Sequence, residues 1–187
     1  DEKTTNDLRI QEYNMLRLSS QIAAEDYIDI RFRMPSGEDY IVVSKKKVEI
    51  PQIDGVDSAT TIWLQLTEDE ILTMSNAIVE NYMIEGSVLY TAKYVEPGTQ
   101  EKATPTYVPS EAVQNLLRNN DSNILNTAKL ALLTRYQGNS DVRNNINNTK
   151  NSIDPDDVAT NISTGVKQEV STAQEQRQDY LDALSGN

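Results

Sequence analysis

The chain has no cysteine and no histidine, a single phenylalanine and a single tryptophan among its 187 residues. Each shortage closes off chemistry. Without thiol or imidazole there is no thiolate nucleophile, no Ser-His-Asp triad, no thiolate or imidazole metal site, no disulfide and no imidazole switch near neutral pH. Carboxylate, Lys, Tyr, Ser and Thr chemistry remains, and a structural protein needs none of it. A disulfide-free chain of this size is viable in either redox compartment. Basic residues are also in deficit, with 17 Lys and Arg against 29 Asp and Glu and a formal charge of -12. That balance, with no basic patch, opposes binding to nucleic-acid phosphates or anionic lipid. No apolar run approaches the roughly 18 to 20 residues of a membrane span, and Asp1-Glu2-Lys3 does not open a signal peptide. The chain is therefore expected to work in water, with no membrane and no sequence-specific nucleic acid as partner. It also lacks a Gly-rich phosphate loop, a dinucleotide fingerprint and a calcium loop, since the acids at Asp154 have neither the central Gly nor the terminal Glu. The expectation is a protein that is not an enzyme, with no cofactor, no metal and no catalytic residue.

What is present is patterned. Length suggests one body and an appendage. Residues 5–25 predict a first helix, with Thr5, Asn6 or Asp7 as cap and Leu8, Met15, Leu18 and Ile22 on one face. From Tyr27 the period changes to two, with Ile28, Ile30, Phe32 and Met34 on one side, and strands are expected over about 27–66 and 87–95. Pro35-Ser36-Gly37-Glu38 supplies the turn of a hairpin into Tyr40-Ile41-Val42-Val43. Lys45-Lys46-Lys47 reads as a solvated strand end that blunts a sheet edge, and Val48 to Pro51 as a short edge strand. Thr67-Glu68-Asp69-Glu70 is a capping box opening a helix over 67–84, which Gly86 ends. Further helices are expected at 110–118 and 122–136, the second capped by Asp121 or Ser122 and burying Ile124, Leu125, Ala128, Leu132 and Tyr136. The implied class is α+β, a small mainly antiparallel sheet or partial barrel with flanking helices and an extended C-terminal helix.

One loop stands out within this 1–136 body, and two stretches, 137–153 and 154–187, follow it. The polar loop 96–109 holds Pro97, Pro105 and Pro109 and is long for a compact domain, which makes it a candidate binding arm. Residues 137–153 are mostly Asn, Asp, Ser, Gly and Lys, and Val142 and Ile146 are too few for a core, so a polar linker or a solvent-facing helical turn is expected. At Asp154-Pro155-Asp156-Asp157 an N-cap, a proline at the first helical position and two acids at the positive end of the dipole open a long helix over 154–187. Thirty residues of helix extend about 45 Å, farther than a small body's own core needs. Its apolar positions, Val158, Ile162, Val166, Val170, Ala173, Tyr180 and Leu184, are interrupted by Arg177 and drift in spacing, a poor fit to a regular dimeric coiled coil. The expected role is partner binding through Val158, Ile162, Val166, Val170, Tyr180 and Leu184, with Tyr107 added from the loop.

An acidic chain without Cys or His, with a small β-rich body, a long Pro-bearing loop and an extended terminal helix, resembles virion structural proteins of tailed bacteriophages. The resemblance is to head-to-tail connector or ring (neck) proteins of short-tailed, crAss-like phages, through Trp63-Leu64-Gln65-Leu66-Thr67-Glu68 to Tyr94 and Pro109 to Tyr136. It implies a virion subunit assembled in the host cytoplasm. Its partners would be identical subunits in a ring and other virion proteins such as portal or tail components, and it would carry out no catalysis. Two other readings fit the residues. One is a monomeric protein- or peptide-binding module using an edge strand and the 96–109 loop. The other is a carboxylate enzyme drawing on Glu68, Asp69, Glu70, Asp154, Asp156 and Asp157.

Overall fold

The structure is a computed structural model and describes residues 6–119 and 126–186. Its elements are β1 (Arg9–Tyr13), β2 (Tyr27–Arg33), β3 (Asp39–Lys47), β4 (Gln52–Ile53), β5 (Val56–Asp57), β6 (Ile62–Leu66), α1 (Glu68–Met83), β7 (Val88–Lys93), α2 (Glu111–Asn119), α3 (Asn126–Gly138), α4 (Ser140–Asn151) and α5 (Pro155–Ser185). The class is α+β. An antiparallel sheet in the order β3-β2-β7 and a β1-β6 pair form small sheets without closing a barrel, and β4 and β5 make a separate short hairpin. The two sheets are stitched together where Glu49 and Trp63 exchange backbone hydrogen bonds of 3.1 and 2.7 Å.

The alternation in β2 has the expected result: Ile28, Ile30, Phe32 and Met34 are buried and form the middle of the core. Asp29, on the opposite side of the pleat, is buried too, because its carboxylate accepts the Lys45 backbone N–H (2.9 Å) and the Tyr94 hydroxyl (2.6 Å). β3 breaks register twice against β2, and Lys45 takes a positive φ of 48° there, so the second irregularity is held by the Asp29 side chain. α1 starts at a closed capping box, in which the Thr67 N–H donates to Glu70 Oε1 at 3.1 Å. It buries Met74, Ala77 and Ile78, and the chain turns away at Gly86 with φ +82°.

Two expectations are corrected. The helix expected over 5–25 is not formed by the described residues 6–25: Arg9–Tyr13 is a strand, paired antiparallel with β6 from Arg9↔Leu66 to Tyr13↔Ile62. The stretch reads with either period, and pairing with β6, which buries Tyr13, outweighs helix propensity. Leu16 is buried and Leu18 and Ile22 pack at the core's margin in the irregular segment that follows. Arg17 bridges to β7, donating to Leu89 O at 2.9 Å and accepting from Thr91 at 3.1 Å. Asp7, proposed as a cap for that helix, instead accepts the Glu68 N–H at the start of α1 (3.2 Å). The second correction concerns 137–153, which is not a linker. α4 occupies most of it and buries Val142, Ile146 and Arg143, the arginine by means of an ion pair that composition does not reveal. Thr5 and the start of the helix expected at 122–136, including Asp121, Ser122, Ile124 and Leu125, lie outside the described residues.

Candidate functional site

α5 begins as its sequence dictates, with Asp154 Oδ1 accepting the Asp156 N–H at 2.8 Å and Pro155 at the first position. One face then lies on the body. Gly165 sits against the ring of Tyr82, where a Cβ would come within 2.4 Å of ring carbons. The Tyr82 hydroxyl donates to Glu169 Oε2 at 2.9 Å, and Asn14 Nδ2 donates to the Glu169 carbonyl at 2.9 Å. Ser58 Oγ donates to Gln176 Oε1 at 3.0 Å. The helix is thus fastened to the body from Gly165 to Gln176, and its last turns border a cleft beside the β4–β5 hairpin.

The six apolar positions proposed for partner binding separate into two groups. Val158 and Ile162 are half-buried. Val166, Val170, Tyr180 and Leu184 are 41, 48, 46 and 58 % exposed. Val166 follows Gly165 by one residue and is therefore rotated about 100° from the body-facing strip. Together with the half-buried Ala173 and with Arg177, the second group takes alternating steps of four and three, which aligns it along one flank of the helix beside the docked strip. Arg177 lies 5.8 Å from the Tyr180 ring centroid and shields part of that row. Tyr180 also walls a cleft of about 330 Å³ whose other sides are Glu12, Pro51, Trp63 and Ala173.

Tyr107 is a correction: it is fully buried in the core, so its side chain presents no surface. Its ring packs edge-on against Phe32 at 6.0 Å, and its hydroxyl donates to the Glu80 carboxylate. Glu80, also fully buried, accepts two bonds from the Arg143 guanidinium, to Oε1 at 2.9 Å and to Oε2 at 2.6 Å, and one from Lys150 Nζ at 2.8 Å. Arg143 donates in addition to Val108 O and to Asn147 Oδ1, both at 3.0 Å. Burial pushes the Glu80 carboxyl up, but the Arg143 bonds and charge, then Lys150 and Tyr107, together hold it below the usual carboxylate range. The cluster ties α1, α4 and the 105–109 segment together. Arg143 and Lys150 were not foreseen from sequence; Glu80 left a trace, because it falls on the buried stripe of α1 with Thr73 and Ala77.

The loop 96–109 does not form a free arm. The N–H groups of Thr106 and Tyr107 both donate to Ile41 O, at 2.9 and 3.0 Å, and the Ile41 N–H donates to Thr106 Oγ1 at 2.9 Å. Lys45 Nζ donates to Gln100 O at 2.6 Å. The loop therefore covers the edge of β3, while the expected edge strand Val48 to Pro51 is paired through Glu49 with Trp63. Lys46 is not a solvated strand end either, since it pairs with Glu70 at 2.7 Å.

The carboxylates proposed for chemistry act at helix starts. Glu70 closes the α1 cap, and Asp69 Oδ1 accepts the Thr67 hydroxyl at 2.8 Å while burial pushes its own carboxyl up. Among the described residues no three acids converge as a metal site requires, and no helix is long and apolar enough to cross a membrane.

Tyrosines show the largest electrostatic effects. Burial raises the hydroxyl pKa of Tyr13, Tyr40, Tyr82, Tyr90, Tyr94, Tyr107 and Tyr136, and nearby carboxylates add to the rise at Tyr13, Tyr82, Tyr90, Tyr94 and Tyr107. A raised folded value means stability that is complete below the unfolded pKa of about 10 and lost as pH rises above it. Stepwise alkaline titration followed at the phenolate absorbance and by far-ultraviolet dichroism should show most tyrosines ionising only with cooperative unfolding. Ionisation of most tyrosines near pH 10 with the fold intact would contradict this burial. Compared with known families, characterised proteins and solved structures, the chain matches none of them.

Proposed function

We propose that this chain is a non-enzymatic structural subunit that assembles with identical copies into a ring, in the neck of a tailed-phage virion between portal and tail. The observation that carries the assembly reading is the exposed flank of α5. Val166, Val170, Tyr180 and Leu184 stay exposed on a helix whose neighbouring face is already fixed by Gly165, Glu169 and Gln176. A helix needing only to complete its own fold gains nothing from that row. Burying each such side chain against a neighbour contributes about 1.5 to 3 kcal/mol when complete, and less for residues already half covered. Because the row lies on one side of the subunit, contact with a different surface of the next copy is heterologous, and repeated rotation closes a ring. The resemblance to connector proteins is what favours the virion neck over other rings.

The test pairs mass with shape. The full chain should sediment as a closed multimer and appear as a ring with a central channel in electron micrographs. The variant Val170→Asp with Leu184→Asp should form no ring and sediment as no more than two copies, with an unchanged melting temperature, since both residues are exposed. A wild-type chain that stays monomeric at its highest soluble concentration, or a double variant that assembles as well as the parent, overturns the proposal.

A further inference from the structure

We propose that β1 is a self-complementary sheet edge, through which two copies of the chain pair antiparallel, centred on Gln11. The argument begins with which backbone groups are spent. Trp63 exchanges both its N–H and its C=O with Glu49, and in a strand the two groups of one residue point the same way. Trp63 therefore points away from β1, and Ile62, Leu64 and Leu66 point toward it. Their partners Tyr13, Gln11 and Arg9 take up those bonds. Ile10 and Glu12, between them, direct their N–H and C=O to the side of β1 away from β6. No backbone or side-chain group among the described residues meets them there.

The other strands of these sheets are treated differently. The outer side of β7 carries Arg17, the outer side of β3 carries Thr106 and Tyr107, and β6 has Glu49 across from β1. Among the described residues of these two sheets, the outer side of β1 is left open. Its sequence, Arg-Ile-Gln-Glu-Tyr, contains no proline, glycine or bulge to discourage pairing, and Ile10 is 64 % exposed.

A second β1 fits this edge in one register. Free groups must face free groups, so antiparallel partners are both even-numbered or both odd-numbered. Centring on Gln11 sets Ile10 against Glu12 and Glu12 against Ile10, and all the free groups of both residues enter the ladder. Gln11 then faces its own copy, Arg9 faces Tyr13, and no like charges are opposed. A shift by two residues in either direction leaves one free residue without a partner inside the strand, and one of those shifts sets Glu12 against Glu12. The contact is isologous and closes at two copies. It rests on the strand edge alone and stands whether or not α5 builds a ring.

The chain has no native cysteine, which makes the register readable. In the centred register the two Gln11 residues form a non-hydrogen-bonded pair with Cα atoms about 4.5 Å apart, within disulfide range. Under mild oxidation Gln11→Cys should give a covalent dimer as the main product. Arg9→Cys should not, because its own copy lies four residues along the partner strand, about 14 Å away. A backbone test runs beside it. Ile10→Pro removes an N–H that points away from β6, so the melting temperature should change little while dimer dissociation rises at least tenfold. Ile10→Thr keeps the N–H and should stay within threefold of the parent. A Gln11→Cys chain that remains monomeric, equal cross-linking by Arg9→Cys, or equal loss of association in both Ile10 variants overturns the proposal.

Discussion

Replacing Arg143 with methionine is expected to destabilise the fold by about 3 to 5 kcal/mol, the usual loss when one partner of a buried ion pair is removed. For a chain of this length that corresponds to a fall of roughly 6 to 20 °C in melting temperature. The size follows from what is left behind. Glu80 is fully buried, and without the guanidinium its carboxylate keeps only Lys150 and the Tyr107 hydroxyl while remaining out of water. Val108 O and Asn147 Oδ1 lose their donors in the same step. The pH dependence distinguishes this cause from lost packing. In the parent the Glu80 carboxyl is held low, so the pair's stabilisation is complete above the unfolded value near 4.3 and lost as pH falls through the folded value. In the Arg143→Met variant burial dominates and pushes the carboxyl up, so that acid-side loss should disappear and the gap between the two proteins should narrow from pH 7 to pH 4. Adding Glu80→Gln to the variant should recover part of the deficit at pH 7. Urea unfolding of the three proteins at both values measures it, and a single-variant loss below about 1 kcal/mol would show that the cluster is not a structural tie.

That cluster also marks where the sequence stops being legible. Elements with a purely local signature could be read. The strict alternation from Ile28 to Met34 makes a buried strand face, the Thr67 to Glu70 box opens α1, and Asp154-Pro155 opens α5. The errors came where a distant partner decides. The stretch 5–25 has apolar residues that satisfy a helical period, but β6 offers its edge to residues 9–13 and the strand wins. The segment 137–153 looks too polar for a core because a buried arginine counts as surface until Glu80, 63 positions away, is placed beside it. Tyr107 looks like loop surface for the same reason.

The candidate site was half legible. Period counting found the apolar row of α5 but could not divide it, since which side docks is set by features that carry no apolar signal. Gly165 is one, where a small residue lets Tyr82 approach, and Glu169 and Gln176 are the others, polar residues whose bonds face inward. The exposed remainder, Val166 to Leu184, is the part that the assembly proposal uses. This division also explains the poor coiled-coil fit over the whole helix: the first apolar positions, Val158 and Ile162, are half-buried, while the later, heptad-like ones follow the exposed flank.

Gly165→Leu should release α5 from the body, and the sign of that effect is not what helix propensity alone predicts. In an exposed helix interior, replacing glycine by leucine stabilises by roughly 0.5 to 1 kcal/mol. Here the first added carbon already falls 2.4 Å from Tyr82 Cγ and Cδ1, so the whole ring must move, and with it the hydroxyl that bonds Glu169. Overpacking of this kind costs about 1 to 3 kcal/mol, more when neighbours cannot shift, and the Asn14 and Ser58 contacts farther along the helix resist a simple slide. The expected result is a net loss of about 2 kcal/mol or more and faster amide exchange confined to α5 and the facing turn of α1. Tyr82→Ala alone should also weaken docking, by opening a cavity. Combining it with Gly165→Leu fills that cavity from the other side, so the double variant should be more stable than the sum of the two losses implies. If Gly165→Leu instead raises stability, or if the two losses simply add, the helix is not held at Tyr82, and Val166 to Leu184 need not face outward.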